Sequence, residues 1–105
     1  MTTEDLKTAF EDLWNLKFPD PVETDDLADW IMELAEFDGY VAGIASTILK
    51  HGSTDTDTTN VGSKFEEFGE RLSKIRITAD GDRSTYEECK NYLEVLRAVV
   101  NEIGK

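Results

Sequence analysis

The stretch DDLADWIMELAEFDGYVAGIASTILKH, residues 25–51, decides the fold. Its apolar residues Leu27, Trp30, Leu34, Phe37, Val41, Ile44 and Ile48 alternate three- and four-residue steps without a slip. A helix turns once in about 3.6 residues, so these side chains form one stripe that faces a partner. Thr24 stands where an N-cap belongs. A single helix of this length would span roughly 40 Å at about 1.5 Å per residue. Asp38 falls inside the stripe, where a carboxylate is costly unless it caps a helix end. Asp38-Gly39-Tyr40 is therefore expected to kink or restart the helix. The small residues Ala35, Gly39, Ala42, Gly43 and Ser46 would permit close helix approach.

The same stepping recurs on either side. From Thr3 to Phe18 the apolar set is Leu6, Ala9, Phe10, Leu13, Trp14 and Phe18, with Thr2 or Thr3 as cap and Pro19 and Pro21 as terminators. From Lys64 to Ile77 it is Phe65, Phe68, Leu72 and Ile75, opened by a Ser63–Glu66 capping box. From Thr85 to Ile103 it is Tyr86, Cys89, Leu93, Leu96, Val100 and Ile103, opened by a Ser84–Glu87 capping box and followed by Gly104. Residues 52–60 hold no apolar side chain and read as an exposed loop. Residues 78–82 read as a turn. The fold expected is all-α: one antiparallel four-helix bundle over residues 1–105. Each helix alone would be marginal in water, so the buried stripes must supply the stability. Leu13, Leu34, Phe37, Ile44, Phe68, Leu72, Leu93, Leu96 and Val100 are the expected core.

A chain of 105 residues with 39% hydrophobic and 32% charged residues suits one globular domain. Cys89 is the sole cysteine, so no intrachain disulfide is expected, and a reducing cytoplasm is favoured. The acidic N-terminus, without an apolar run behind it, does not read as a signal peptide. No stretch reaches the roughly 18–20 apolar residues of a membrane span. The net charge of −12 disfavours nucleic acid and anionic lipid, and favours basic proteins.

Most catalytic and metal-binding classes fail on residue supply. Cys89 lies on an apolar stripe, where a thiol stays protonated and inert. One cysteine and one histidine, His51, cannot furnish a zinc set. The Glu-x-x-His pair of carboxylate di-iron bundles is missing, since Ile48 stands three before His51. Asp55, Asp57, Thr59 and Glu66 resemble positions one, three, five and twelve of an EF-hand loop, which would imply calcium. However, Asn60 stands where that loop needs glycine, and Gly62 where it needs an aliphatic residue. Glu66-Glu67-Phe68-Gly69-Glu70 resembles the Glu-Glu-x-x-Glu half of the all-α nucleotide pyrophosphohydrolases, which would imply Mg²⁺ and a triphosphate. The second half, Glu-x-x-Asp, is absent: Glu87 and Glu88 are followed by Lys90 and Asn91, and Glu94 by Arg97. The expectation is a protein that is not an enzyme, with no metal and no cofactor.

What remains is the placement of negative charge. Residues 1–60 carry 14 acids against three bases, and residues 61–105 nine against eight. No Lys or Arg occurs between Phe18 and Leu49. On the helical wheel, Asp25, Asp26, Asp29, Glu33 and Glu36 share an arc of roughly 100° opposite Leu27, Leu34 and Phe37. The pairs Asp25–Asp29 and Asp29–Glu33 are like charges four residues apart, each costing a helix about 0.2–0.5 kcal/mol. Asp25 and Asp26 suit a helix N-terminus, but Glu33 and Glu36 lie beyond its first turn. These five acids are the candidate partner-binding face, expected to be exposed together and free of internal cations. In size, fold and acidic face the chain is similar to small neutralising proteins as a class: immunity proteins that block nuclease toxins, and nucleic-acid mimics that block DNA-binding proteins. The paired-tyrosine motif of the colicin DNase immunity proteins is absent. The partner implied is a basic protein such as a toxin, nuclease or DNA-binding protein. The rival is a structural or regulatory helical module whose charge confers solubility alone.

Overall fold

The computed structural model describes residues 3–104. Among these, every regular element is helical: α1 (Thr3–Trp14), α2 (Asp25–His51), α3 (Val61–Lys74) and α4 (Arg83–Ile103), with a short 3₁₀ turn at Asp80–Asp82 ahead of α4. The arrangement is compatible with a helical bundle. α4 packs on each of the other three helices, α2 packs on α1 and α3, and α1 and α3 do not meet. The stripes explain this layout, because Leu6, Leu27, Trp30, Leu34, Val41, Cys89, Leu96 and Val99 become almost fully buried in one apolar cluster. All nine residues expected in the core lie within it.

α2 is one uninterrupted helix, contrary to the expected break at Asp38-Gly39. Two facts remove the need for one. Asp38 is only half-buried, and its carboxylate accepts a hydrogen bond from the Tyr92 hydroxyl on α4. Gly39 is exposed, and its helical penalty of about 1 kcal/mol is outweighed by burying Val41, Ile44 and Ile48 on the far side. The small residues Ala35, Gly39, Gly43 and Ser46 are exposed, so no helix approaches them closely. α2 ends at Gly52, whose φ of +82° places it in the left-handed region that only glycine adopts freely. Its amide donates to the Ile48 carbonyl at 2.7 Å, closing the helix end.

Helix starts and stops differ from expectation by up to four residues. α1 stops at Trp14, and Leu16 and Phe18 leave the helix as half-buried residues against the core. There the Phe18 ring meets the Tyr92 ring edge-on, with centroids 5.3 Å apart. α3 begins at Val61 and α4 at Arg83, so Ser63 and Ser84 lie inside helices and neither capping box forms. Thr3 is already helical, and Thr2 lies outside the described residues.

Candidate functional site

The start of α2 is held by a residue from far along the chain. Asp82, 5% exposed, aims its carboxylate at the turn ahead of α2. It accepts from the Thr24 amide at 2.7 Å, the Thr24 hydroxyl at 2.6 Å and the Glu23 amide at 3.2 Å. Thr24 in turn accepts from the Thr78 amide at 3.2 Å. Thr24 thus occupies the N-cap position of α2, but its own hydroxyl donates to Asp82 and caps no amide of the helix, and Asp82 instead fixes the turn that leads into it. The Thr24 hydroxyl, followed by the two amides, holds the Asp82 carboxyl below its ordinary range. Two buried polar residues therefore tie the α1–α2 connection to the α3–α4 connection.

From that anchored start, α2 projects its acids. Asp25, Asp26, Asp29, Glu33 and Glu36 are all exposed, as expected. The expectation that none has an internal cation fails at Glu33, which is bonded to Arg71 of α3. Arg71 also lies over the Phe68 ring, 5.6 Å from its centroid, so its position is fixed by packing as well as charge. Asp26, Asp29 and Glu33 line a shallow groove with Arg71 and Lys74. Asp25, Asp26, Asp29 and Glu36 make no salt bridge among the described residues, nor do Glu4, Glu11 and Asp12 of α1. Lys17–Asp20 and Glu33–Arg71 are salt bridges that involve acids from the first 60 residues.

The other candidates lose their geometry. Cys89 is fully buried, and burial, with the Glu88 charge, pushes its thiol up to about 12. Asp57 is bonded to the hydroxyl of Thr59 and accepts from its amide at 2.9 Å. Glu66 is in the second turn of α3 and pairs with Arg97 of α4 at 3.5 Å. Glu70 pairs with Lys74 at 3.0 Å and Glu87 with Lys90 at 3.4 Å. Among the described residues, no three His, Cys, Asp or Glu side chains are placed to share a metal ion, and no helix is long and apolar enough to cross a membrane.

One polar group stands out in the interior. Asp38 keeps its Oδ1 buried without a hydrogen-bond partner. Burial raises its carboxyl above the ordinary range, partly offset by the bond from Tyr92. The Tyr92 hydroxyl is raised in turn, first by burial and then by Asp38.

Sequence reasoning also placed Trp14 on the α1 stripe, but the indole is 76% exposed. It stacks on half-buried Phe10, with centroids 6.1 Å apart and planes 24° from parallel. A groove of ≈ 870 Å³ runs beside them between α1 and the C-terminal part of α2, reaching Ser46 and Leu49. The signal was available on the wheel. Leu6, Ala9 and Leu13 share a narrow arc, whereas Trp14 sits beside Lys7 and Glu11, at the edge of the polar face.

No family model, curated protein or solved structure matches this chain.

Proposed function

We propose that the chain is a binding protein whose acidic α1–α2 side occupies a basic surface of a partner protein, as neutralising proteins do. One observation carries this reading: Glu4, Glu11 and Asp12 of α1 and Asp25, Asp26, Asp29 and Glu36 of α2 are exposed and make no salt bridge among the described residues, whereas Glu66, Glu70, Glu87 and Glu94 of α3 and α4 are paired. Like charges held together on a free surface gain when a cationic surface covers them. The scaffold of this reading is an antiparallel four-helix bundle. It is supported by the contacts of Thr24 with Thr78 and Phe37 with Phe68, which run in opposite directions along α2 and α3, and of Tyr86 with Leu72 and Arg97 with Glu66, which do so along α3 and α4. Binding rather than catalysis is supported by the inert Cys89 thiol and by the cations that engage Glu66, Glu70 and Glu87. A reducing cytoplasm suits a lone buried thiol.

The test is a double reversal. Asp29→Lys with Glu36→Lys is preferred to any change at Glu33, because a lysine there would face Arg71. The wild type should retain a basic protein from a cell lysate at low salt and release it as salt rises, since the Debye length shrinks from about 10 Å at 0.1 M to about 3 Å at 1 M. The reversed protein should melt normally and capture nothing. Equal capture by both would leave the acidic face as a solubility feature.

A further inference from the structure

The groove beside Trp14 requires an occupant. An aromatic that is 76% exposed, stacked on a second ring and bordering a groove that ends at half-buried Leu49, is an apolar surface without a covering element. We propose that this groove is the docking site for a basic amphipathic helix of the partner, with the Trp14 indole as its anchor.

Three features select that occupant. The groove follows α1 from Thr3 to Asn15, a run of roughly 18 Å at about 1.5 Å per residue, which matches a helix of three turns or so laid alongside. Helices recognised in this way insert residues at i, i+3, i+4 and i+7 into an apolar groove and leave their other face free. The charge around the groove is negative. Among the described residues its walls come from residues 3–49, within the half of the chain that carries 14 acids and three bases; Lys7 is the one base on the lining, against the rim acids Glu4 and Glu11, which make no salt bridge among the described residues. A second copy of this chain would bring the same excess of acid against it, so self-association is disfavoured. A cationic helix meets both conditions: leucine-like residues cover Phe10, Trp14 and Leu49, while lysines and arginines answer the acids on either side. The inference rests on the basic partner proposed above, and adds a second contact away from Asp25–Glu36.

The probe is a synthetic peptide of about 14 residues built from Leu and Lys in helical register, with a Leu and Glu counterpart. Trp30 is already buried and donates from Nε1 to the Phe68 carbonyl at 3.0 Å, so a blue shift of tryptophan emission on adding peptide reports Trp14. The Leu/Lys peptide should produce that shift and saturate, and the Leu/Glu peptide should not. By anisotropy of labelled peptide, Trp14→Ala should weaken binding about tenfold or more, as loss of a central aromatic anchor does. Trp14→Phe should recover most of the affinity. Because Trp14 is exposed, neither variant should disturb folding, and circular dichroism would verify this. Unchanged affinity in Trp14→Ala would overturn the inference. So would equal binding of the Leu/Glu peptide, or a blue shift on concentrating the protein alone, which would assign the groove to a second copy. If Asp29→Lys/Glu36→Lys abolishes binding while Trp14→Ala does not, the groove fails and the acidic face stands. The reverse result sustains the groove, and the acidic face is then judged by the lysate capture described above.

Discussion

The two halves of this molecule share one core and differ in how their surfaces treat charge. In α3 and α4, Glu66, Glu70, Glu87 and Glu94 each lie against a lysine or arginine three or four residues away or across the helix interface. Arg97 engages both Glu66 and Glu94 and also covers the Phe65 ring at 5.1 Å. In α1 and α2, Glu33 alone of the five candidate acids has such a partner, and that partner is borrowed from α3. Exposed pairs contribute little stability, about 0–1 kcal/mol each, so the balanced half is not made much firmer by them. The contrast instead concerns what each surface offers to solvent. The balanced half offsets much of its own field, and the acidic half leaves its field open to solvent.

The largest expected effect would break the comparison where it should not break, in the core. Leu34 of α2 and Leu96 of α4 are both fully buried in the same cluster. Leu34→Ala and Leu96→Ala should each cost roughly 2–5 kcal/mol in a urea titration, as large-to-small changes in packed interiors do. If either costs less than about 1 kcal/mol, the two halves do not share the core described.

Next in size is the tie between the halves. Thr24→Val removes the hydroxyl that donates to Asp82 and accepts from Thr78, and should cost roughly 1 kcal/mol, the net worth of an intramolecular hydrogen bond. The Asp82 carboxyl is depressed in the fold, so its stabilisation is present above its ordinary value of 3.8 and is lost as pH falls through the depressed one. In the wild type, stability measured below pH 3.8 should therefore fall with acid, and the fall should be shallower in Thr24→Val. Asp38 works in the opposite direction. Its carboxyl is raised, so the stability it contributes is full below 3.8 and fades as pH rises through the raised value. Asp38→Asn, with Asp82 intact, would isolate the fall due to Asp82. Identical acid profiles for wild type and Thr24→Val would detach Asp82 from the role given to it.

These two residues also show what the sequence could and could not disclose. The apolar stripes were legible because a helix imposes its period on every buried face, and all nine expected core residues are buried. The five acids were legible as exposed for the complementary reason. What escaped is contact between distant positions. Asp82 holds the turn ahead of α2 from 58 residues away, Tyr92 relieves Asp38 of the need for a break, and Arg71 reaches Glu33 across 38 residues. The local signals Ser63–Glu66 and Ser84–Glu87 are sound capping patterns, but both helices begin upstream of their serines. At Trp14 a side chain assigned to the stripe by type belongs by angle to the surface.

The smallest expected effect sharpens the comparison most, because it predicts a difference of sign. Asp29 has like charges four residues away on both sides, Asp25 and Glu33, and makes no salt bridge among the described residues. Asp29→Asn should therefore stabilise the protein by about 0.4–1 kcal/mol at low salt, the relief of two like pairs at about 0.2–0.5 each. Glu87→Gln removes the same unit of charge from α4, but there the acid faces Lys90 at 3.4 Å and has Arg83, not an acid, four residues before it. It should destabilise, by about 0.2–1 kcal/mol, as loss of an exposed pair does. Raising salt from about 0.05 to 0.5 M should shrink both effects toward zero, since exposed charges are screened over a few ångströms at the higher value. Urea titrations of the two variants at both salt concentrations would decide the matter. Effects of the same sign at low salt would mean that the acidic half has answered its own charge after all. Effects of opposite sign that converge with salt would leave α2 holding an unrelieved repulsion on its free surface, which is what a cationic partner would remove on binding.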